Sequence, residues 1–283
     1  MTILWQANHD AGNLNEWTGI GNSEGEVNNN PGCVSVASTE QHHMGTHSLR
    51  QESNALGAGT RVYHYPIYHE RLEVYLSHWM YIPVEYTINV NGGAWFNCMQ
   101  FQSRKAGGSV DPIHILGLRT QTGQLRFDLN WFNQLKISGP KATDGVGGKS
   151  WVSGIEVPVG RWFNVEIRHK YSEDFDGVVQ VWQDGQKIFD QVDVRTGYPL
   201  EDFGQPGVAN RMVASTCYCE LVTPKPVVIY RDTFKLSDER VNDAETTPPG
   251  VEEPGPTPPE NVTGTFWSAS KNEDGSYNIH LVK

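Results

Sequence analysis

The residues of this chain that could do chemistry are polar side chains set two apart in short runs, interleaved with apolar ones. In QLRFDLNWF (124–132), Arg126, Asp128 and Asn130 alternate with Leu125, Phe127, Leu129 and Trp131. In RWFNVEIRHKY (161–171), Asn164, Glu166, Arg168 and Lys170 oppose Phe163, Val165 and Ile167. Gln180 and Trp182 oppose Val179 and Val181 in 177–184, and Gln100 and Gln102 share a face in 94–102. Amides and guanidinium groups hydrogen-bond hydroxyls and carboxylates with fixed geometry, and an indole packs on the apolar face of a pyranose. If these runs are neighbours in one sheet, Gln100, Gln102, Arg126, Asn130, Arg168, Lys170, Gln180 and Trp182 line one groove suited to a carbohydrate chain. The plain alternative is a solvated sheet face carrying ordinary polar residues.

Other chemistries fit less well. The histidines of Gln41-His42-His43 point to opposite faces of an extended segment, and with His47 they find no Asp or Glu at ligand spacing to complete a zinc set. His114 and His169 are the histidines placed to act as a base, with a hydrogen-bonded structural role as the alternative. No E-x-D-x-x-E run supplies the paired carboxylates of a retaining glycosidase, and Glu173, Asp174 and Asp176 fall in a turn. The four cysteines (33, 98, 217, 219) allow up to two disulfides, while Cys217-x-Cys219 faces one side of a strand and matches no zinc spacing.

The elements that must hold these side chains are strands. Alternating runs at 72–83, 94–102, 112–120, 124–132, 161–171, 177–185, 186–192 and 227–237 are bounded by turn residues, and Asp184-Gly185 supplies the positive φ of a tight hairpin. With 29 glycines, 16 prolines and no helical period between the runs, the chain is all-β. The expected architecture is a two-sheet antiparallel β-sandwich with Phe127, Leu129, Val165, Ile167, Val179 and Val181 in its core. The main domain spans 1–237, an acidic proline-rich linker 238–262, and a β-hairpin or the stub of a further module 263–283.

Seven acids against Arg240 between Ser237 and Glu260 carry −6 of the net −11, and a chain so charged is not a nucleic-acid binder. No run approaches the roughly 20 apolar residues of a membrane helix, so no membrane partner is expected. The start, MTILWQANHDAG, has neither a basic nor an apolar leader region. The expected location is extracellular or on a virion, and the oligomeric state stays open.

The succession HWMYIP, FNCMQFQ, PVGRWFNVEIRHKYSEDFDGVVQVWQDGQKIFD and VVIYRDTFKLS resembles the concanavalin-like jelly roll of polysaccharide lyases of the heparin-lyase-I and glucuronan-lyase type. The resemblance covers about residues 65–237 and is most specific over 158–185, a phrase shared with glucanase and lectin relatives of the fold. It implies β-elimination on an acidic polysaccharide: the C5 proton of a uronate is removed and the oxygen at C4 expelled. That chemistry needs a carboxylate neutraliser, a base and an acid. By position the resemblance gives Gln100 the carboxylate, with Arg126 or Arg168 helping. Where the family has a histidine two residues on, this chain has Gln102, which moves the base to His114, His169 or a groove tyrosine, Tyr81 or Tyr171.

Jelly rolls of this kind often carry a structural calcium. Asp232 with Asn8, Asp10 or Glu16 matches that ion's preference for oxygen, the alternative being that Asp232 is a surface strand residue. No organic cofactor is expected. Two other functions remain open, a non-catalytic carbohydrate-binding module and a virion or surface adhesion protein. A histidine or tyrosine near Gln100 and a basic side chain would favour the lyase.

Overall fold

Period-two alternation puts successive side chains on opposite faces, so each run can bury one face only against a second sheet. The computed structural model describes residues 1–17, 28–29, 33–54, 58–64, 73–104, 110–131, 150–172, 174–197, 212–246, 266–271 and 277–282. Its strands are β1 (Ile3–Ala7), β2 (Asn28–Asn29), β3 (Cys33–Ser38), β4 (Ser48–Ser53), β5 (Ala58–His64), β6 (Glu73–Tyr81), β7 (Trp95–Arg104), β8 (Val110–Gln121), β9 (Gln124–Trp131), β10 (Ser150–Val152), β11 (Trp162–Lys170), β12 (Gly177–Gln183), β13 (Gln186–Val194), β14 (Met212–Glu220), β15 (Val227–Ser237), β16 (Phe266–Lys271) and β17 (Tyr277–Val282).

Two antiparallel sheets form the sandwich. The first runs β13-β12-β11-β6-β15-β4-β3, with β1 also paired to β15, and the second runs β10-β9-β8-β7-β14-β5-β2. The six expected core residues are all 0 or 1% exposed. Each large apolar side chain so buried contributes about 1.5–3 kcal/mol. Phe127 of β9 meets Phe163 of β11 across the interface, ring centroids 6.2 Å apart. The β12–β13 hairpin turns at Asp184 and Gly185, with φ of 48° and 77°, the geometry that the Asp-Gly pair favours. All four cysteines are buried thiols, so the disulfides allowed by their number do not form.

One compact unit runs from Met1 to Thr246, a second from Thr247 to Lys283. Residues 238–246, which composition assigns to the linker, instead pack on the outer face of the first sheet. Arg240 Nε lies 2.6 Å from Glu166 Oε2, Val241 N donates to Glu166 Oε1 at 2.8 Å, and Ser77 Oγ donates to Asp243 Oδ2 at 2.9 Å. Within the second unit β16 and β17 pair as the expected hairpin; the proline-rich stretch 247–265 lies outside the described residues.

Burial of histidines makes the fold acid-sensitive. Desolvation lowers His9 and His64 from 6.5 to about 4, with Asp10 opposing at His9, and lowers His114 to about 3. The unfolded chain therefore binds protons that the folded chain refuses as pH falls below 6.5. Stability is present above that pH and is lost toward the folded values, by about 1.4 kcal/mol per histidine per pH unit. Asp232, pushed up to about 6 by burial, acts in the opposite sense as one group against five, since burial also lowers His43 to about 4 and His78 well below 6.5. The urea midpoint is expected to fall steeply from about pH 6.5 to 4; a flat midpoint across that window would contradict the assignment.

Candidate active site

The outer face of the second sheet gathers the polar side chains that can meet a sugar. Its strand registers align two rungs. One carries Asn130, Ile115, Gln100, Ala214 and Tyr63 and the other Asp128, Gly117, Asn97, Tyr218 and Gly59; they are consecutive on β8 and β9, while on β14 and β5 the pair Thr216–Arg61 stands between them. Arg61 lies between Tyr63 and Gly59 on β5, and Arg119 pairs with Arg126 beyond the second rung.

Gln100 and Gln102 are buried at the floor of this face. Gln102 Nε2 donates to Gln100 Oε1 at 2.5 Å. With its carbonyl engaged, Gln100 presents its amide N–H groups, the donors that a carboxylate requires. Arg126 is held by Ser153 O at 3.1 Å and Gln124 Oε1 at 2.5 Å.

Tyr218 supplies the ionisable group. Its ring lies over Gly59, where a Cβ would stand 1.8 Å from Cδ1, so only glycine admits that ring position. The Arg61 guanidinium sits 5.5 Å from the Tyr218 ring centroid and 4.5 Å from that of Tyr63. Burial raises the Tyr218 pKa above its ordinary value, and the Arg61 charge pulls it back.

The structure divides the expected groove between two faces. Gln100, Gln102, Arg126 and Asn130 lie together on the second sheet, whereas Arg168, Lys170, Gln180 and Trp182 lie on the outer face of the first, because β11 and β12 pair with β6 and β13. There they form a surface network: Arg168 to Glu73 (2.8 Å) and Gln180 (3.0 Å), Lys170 to Asp176 (2.9 Å), Gln180 to Asp190 (2.6 Å).

Trp182 points outward as its parity requires, yet it is 7% exposed, under Arg240 at 4.5 Å. It cannot be an open sugar platform. Trp182→Ala is expected to cost about 3 kcal/mol of stability, at the low end for large-to-small changes, and to leave polysaccharide affinity unchanged. An unchanged melting temperature with lost affinity would reverse this assignment.

The proposed bases move inward. His114 and His169 stack on each other at 4.8 Å and on Phe101 at 4.7 Å, between the sheets, and neither nitrogen of His114 has a partner. Buried and neutral, His114 cannot reach a substrate. Tyr171 is buried with its ring against Gly197, and Tyr81 belongs to an aromatic cluster with Trp79, Trp162 and Tyr230 on the first sheet.

The oxygens named for calcium hold backbone N–H groups of the loops around them. Asp232 Oδ2 accepts from His43 N (2.8 Å) and Met44 N (3.0 Å), and Oδ1 from Thr233 N (2.6 Å). Asp10 Oδ1 accepts from Thr46 N at 2.7 Å, Glu16 Oε2 from His9 N at 2.9 Å, and Asn8 Oδ1 from Asp10 N at 3.1 Å. Each of these oxygens accepts a backbone N–H. Asp232 and Asp10 instead clamp the loop at 43–46, where Gly45 has φ of 66° and no room for a Cβ beside Asp10. Among the described residues no three His, Cys, Asp or Glu side chains form a metal cluster, and no described helix is long and apolar enough to cross a membrane.

Sequence reasoning overlooked Arg61, Tyr63, Asn97, Arg119 and Tyr218. The signal was present in part: Cys217 and Cys219 share the inward face, which leaves Tyr218 outward, and Val62 inward leaves Arg61 and Tyr63 outward.

Solved structures share the sandwich. An endo-beta-1,4-glucuronan lyase from the fungus Trichoderma reesei aligns over 83% of this chain and 95% of its own, at 15% identity and a TM-score of 0.60. A marine alginate lyase from Aplysia kurodai aligns over 83% and 99%, at 14% identity and a TM-score of 0.52. These likenesses establish a shared jelly-roll fold. No curated protein matches the chain in sequence. The model of the family described as polysaccharide lyase matches residues 9–213, which include β7, β8, β9 and the Gln100–Gln102 pair. By that match the chain belongs to the polysaccharide lyase family.

Proposed function

We propose that the outer face of the second sheet binds a uronate polymer and cleaves it by β-elimination, with Gln100 on the carboxylate and Tyr218 as the base. The observation that carries this reading is that the two rungs share one face, with Arg61 between them on β5. One presents a carboxamide whose donors are fixed by Gln102, and the other presents a phenol beside the Arg61 charge.

The Gln100 amide hydrogen-bonds the uronate carboxylate and stabilises the negative charge that builds on it as the C5 proton leaves. The Tyr218 oxygen removes that proton. The electron pair forms the C4–C5 double bond, the C4–O4 bond breaks, and the departing oxygen takes the proton from the Tyr218 hydroxyl, which restores the phenolate. Arg61 helps Tyr218 reach its anionic form and adds a positive charge for an acidic polymer.

Membership of the family and the uronate polymers named for the two structural relatives make glucuronan and alginate the first substrates to test. Incubation with either should produce the ultraviolet absorbance of an unsaturated uronate together with shortened chains. Binding without any such absorbance, on every uronate polymer offered, would leave a carbohydrate-binding module.

A further inference from the structure

We propose that Trp95 and Glu220 form a sugar platform on the substrate face, one unit along the polymer from the Tyr218 row, which makes cleavage depend on chain length. The inference rests on the reading of this face as the site for an acidic polysaccharide, and it adds a subsite away from the reacting bond.

Trp95 opens β7, Glu220 closes β14, and the two residues pair directly across the strands. Phe96 and Leu118 also pair and are buried, so the residues one step out from them, Trp95 and Arg119, take the outer face. Trp95, Arg119 and Glu220 each stand two residues from the row of Asn97, Gly117 and Tyr218. That displacement is about 7 Å along the strands, close to the length of one sugar residue. From β9 to β14 the new row reads Arg126, Arg119, Trp95 and Glu220.

The indole is fixed in place. Trp95 Nε1 donates to Glu220 Oε2 at 3.0 Å. The turn that leads into β7 is closed on Asn89, whose backbone oxygen accepts from Ala94 N at 3.1 Å and whose Oδ1 accepts from Gly92 N at 3.2 Å. Trp182 lies covered by Arg240, whereas Trp95, Glu220, Arg119 and Arg126 are all partly exposed. A ring whose N–H is satisfied, whose position is set and whose surface is partly in water is preorganised to pack on the apolar face of a pyranose.

Charge across the row orients the sugar. Glu220 puts an acid at the β14 end. At the other end Asp128 opposes Arg119, while Arg126 is held by the uncharged Ser153 O and Gln124 Oε1 and keeps its charge for a ligand. A uronate carries its carboxylate on one edge of the ring and the hydroxyls of C2 and C3 on the opposite edge. The hydroxyls are donors and suit Glu220, and the carboxylate suits the guanidinium end.

Rates of elimination on glucuronan oligosaccharides of increasing length test the platform, together with melting temperatures and with calorimetric affinity for the polymer in the Tyr218→Phe background. Wild-type kcat/KM should step up once the oligosaccharide is long enough to reach Trp95. Trp95→Ala should remove that step, lowering kcat/KM on long chains and affinity for the polymer by about tenfold while leaving the shortest cleaved substrate unaffected. Trp95→Phe keeps an aromatic ring and should retain part of the step; Glu220→Ala frees the indole and should reduce it. Equal losses at every length with a lowered melting temperature would make Trp95 a structural residue and overturn the proposal. So would a wild-type rate indifferent to length, or a polymer affinity that Trp95→Ala leaves intact. Trp95-dependent binding without elimination on any uronate polymer would remove the lyase reading and leave the platform standing, and a wild type that binds no uronate polymer would remove both.

Discussion

Replacing Tyr218 by phenylalanine should lower turnover on a uronate polymer by about a hundred- to ten-thousand-fold, the range spanned by a positioned acid or base. The ring stays over Gly59 and beside Arg61, so packing is preserved and only the phenolic oxygen is lost. Affinity and melting temperature should therefore change little. The pH profile supplies an independent mark. Burial pushes the Tyr218 pKa up, so the catalytically useful phenolate is scarce at neutrality and wild-type kcat should rise into the alkaline range. Arg61→Ala, by removing the opposing charge, should move that rise to higher pH. Comparable turnover in the phenylalanine variant would dismiss Tyr218 as the base, and Tyr63, on the neighbouring rung, would be the next tyrosine to replace.

Gln100→Ala is the second large effect. Donors aimed at charge that develops in the transition state are worth about a hundred- to a thousandfold in kcat. The loss should fall on kcat more than on KM, because the carboxylate contact strengthens as electron density moves from C5 toward it. Gln102→Ala acts through its neighbour. It frees the Gln100 amide to rotate and present its oxygen, so it should lower kcat by less than Gln100→Ala. A KM-only effect for both variants would mean that the pair binds substrate equally in ground and transition states.

The sequence carried the sandwich because a single physical signal, alternation with period two, is written locally. It correctly placed Phe127, Val165, Val179 and their neighbours inward and Arg126, Arg168 and Trp182 outward. The Asp184-Gly185 hairpin was legible for the same reason, since a positive φ at two successive residues leaves few amino acids to choose from. Alternation already gave His169 the inward parity of Phe163, Val165 and Ile167, but not how deeply the two histidines are enclosed. His114 and His169 sit on runs whose neighbours are apolar and polar alike, and only the stack with Phe101 shows them enclosed.

Alternation tells which face a side chain takes but not which sheet its strand joins. β9 and β11 have the same signature, yet one lies beside β8 and the other beside β6, and that difference separates Gln100 and Arg126 from Arg168 and Trp182. Pairing of this kind depends on hydrogen bonds between residues far apart in the chain, such as Tyr218 with Gly59 and Glu166 with Ser77. The same holds for residues 238–246: their composition reads as a linker, and the decision to fold back lies with Glu166 and Trp182 on other strands. The sequence by itself determined the strands and their inward faces, and its resemblance singled out Gln100 as the candidate for the carboxylate. Only the tertiary structure brought Tyr218, Arg61 and Asp128 to the face that Gln100 occupies, because long-range backbone pairing sets neighbours that no local pattern encodes.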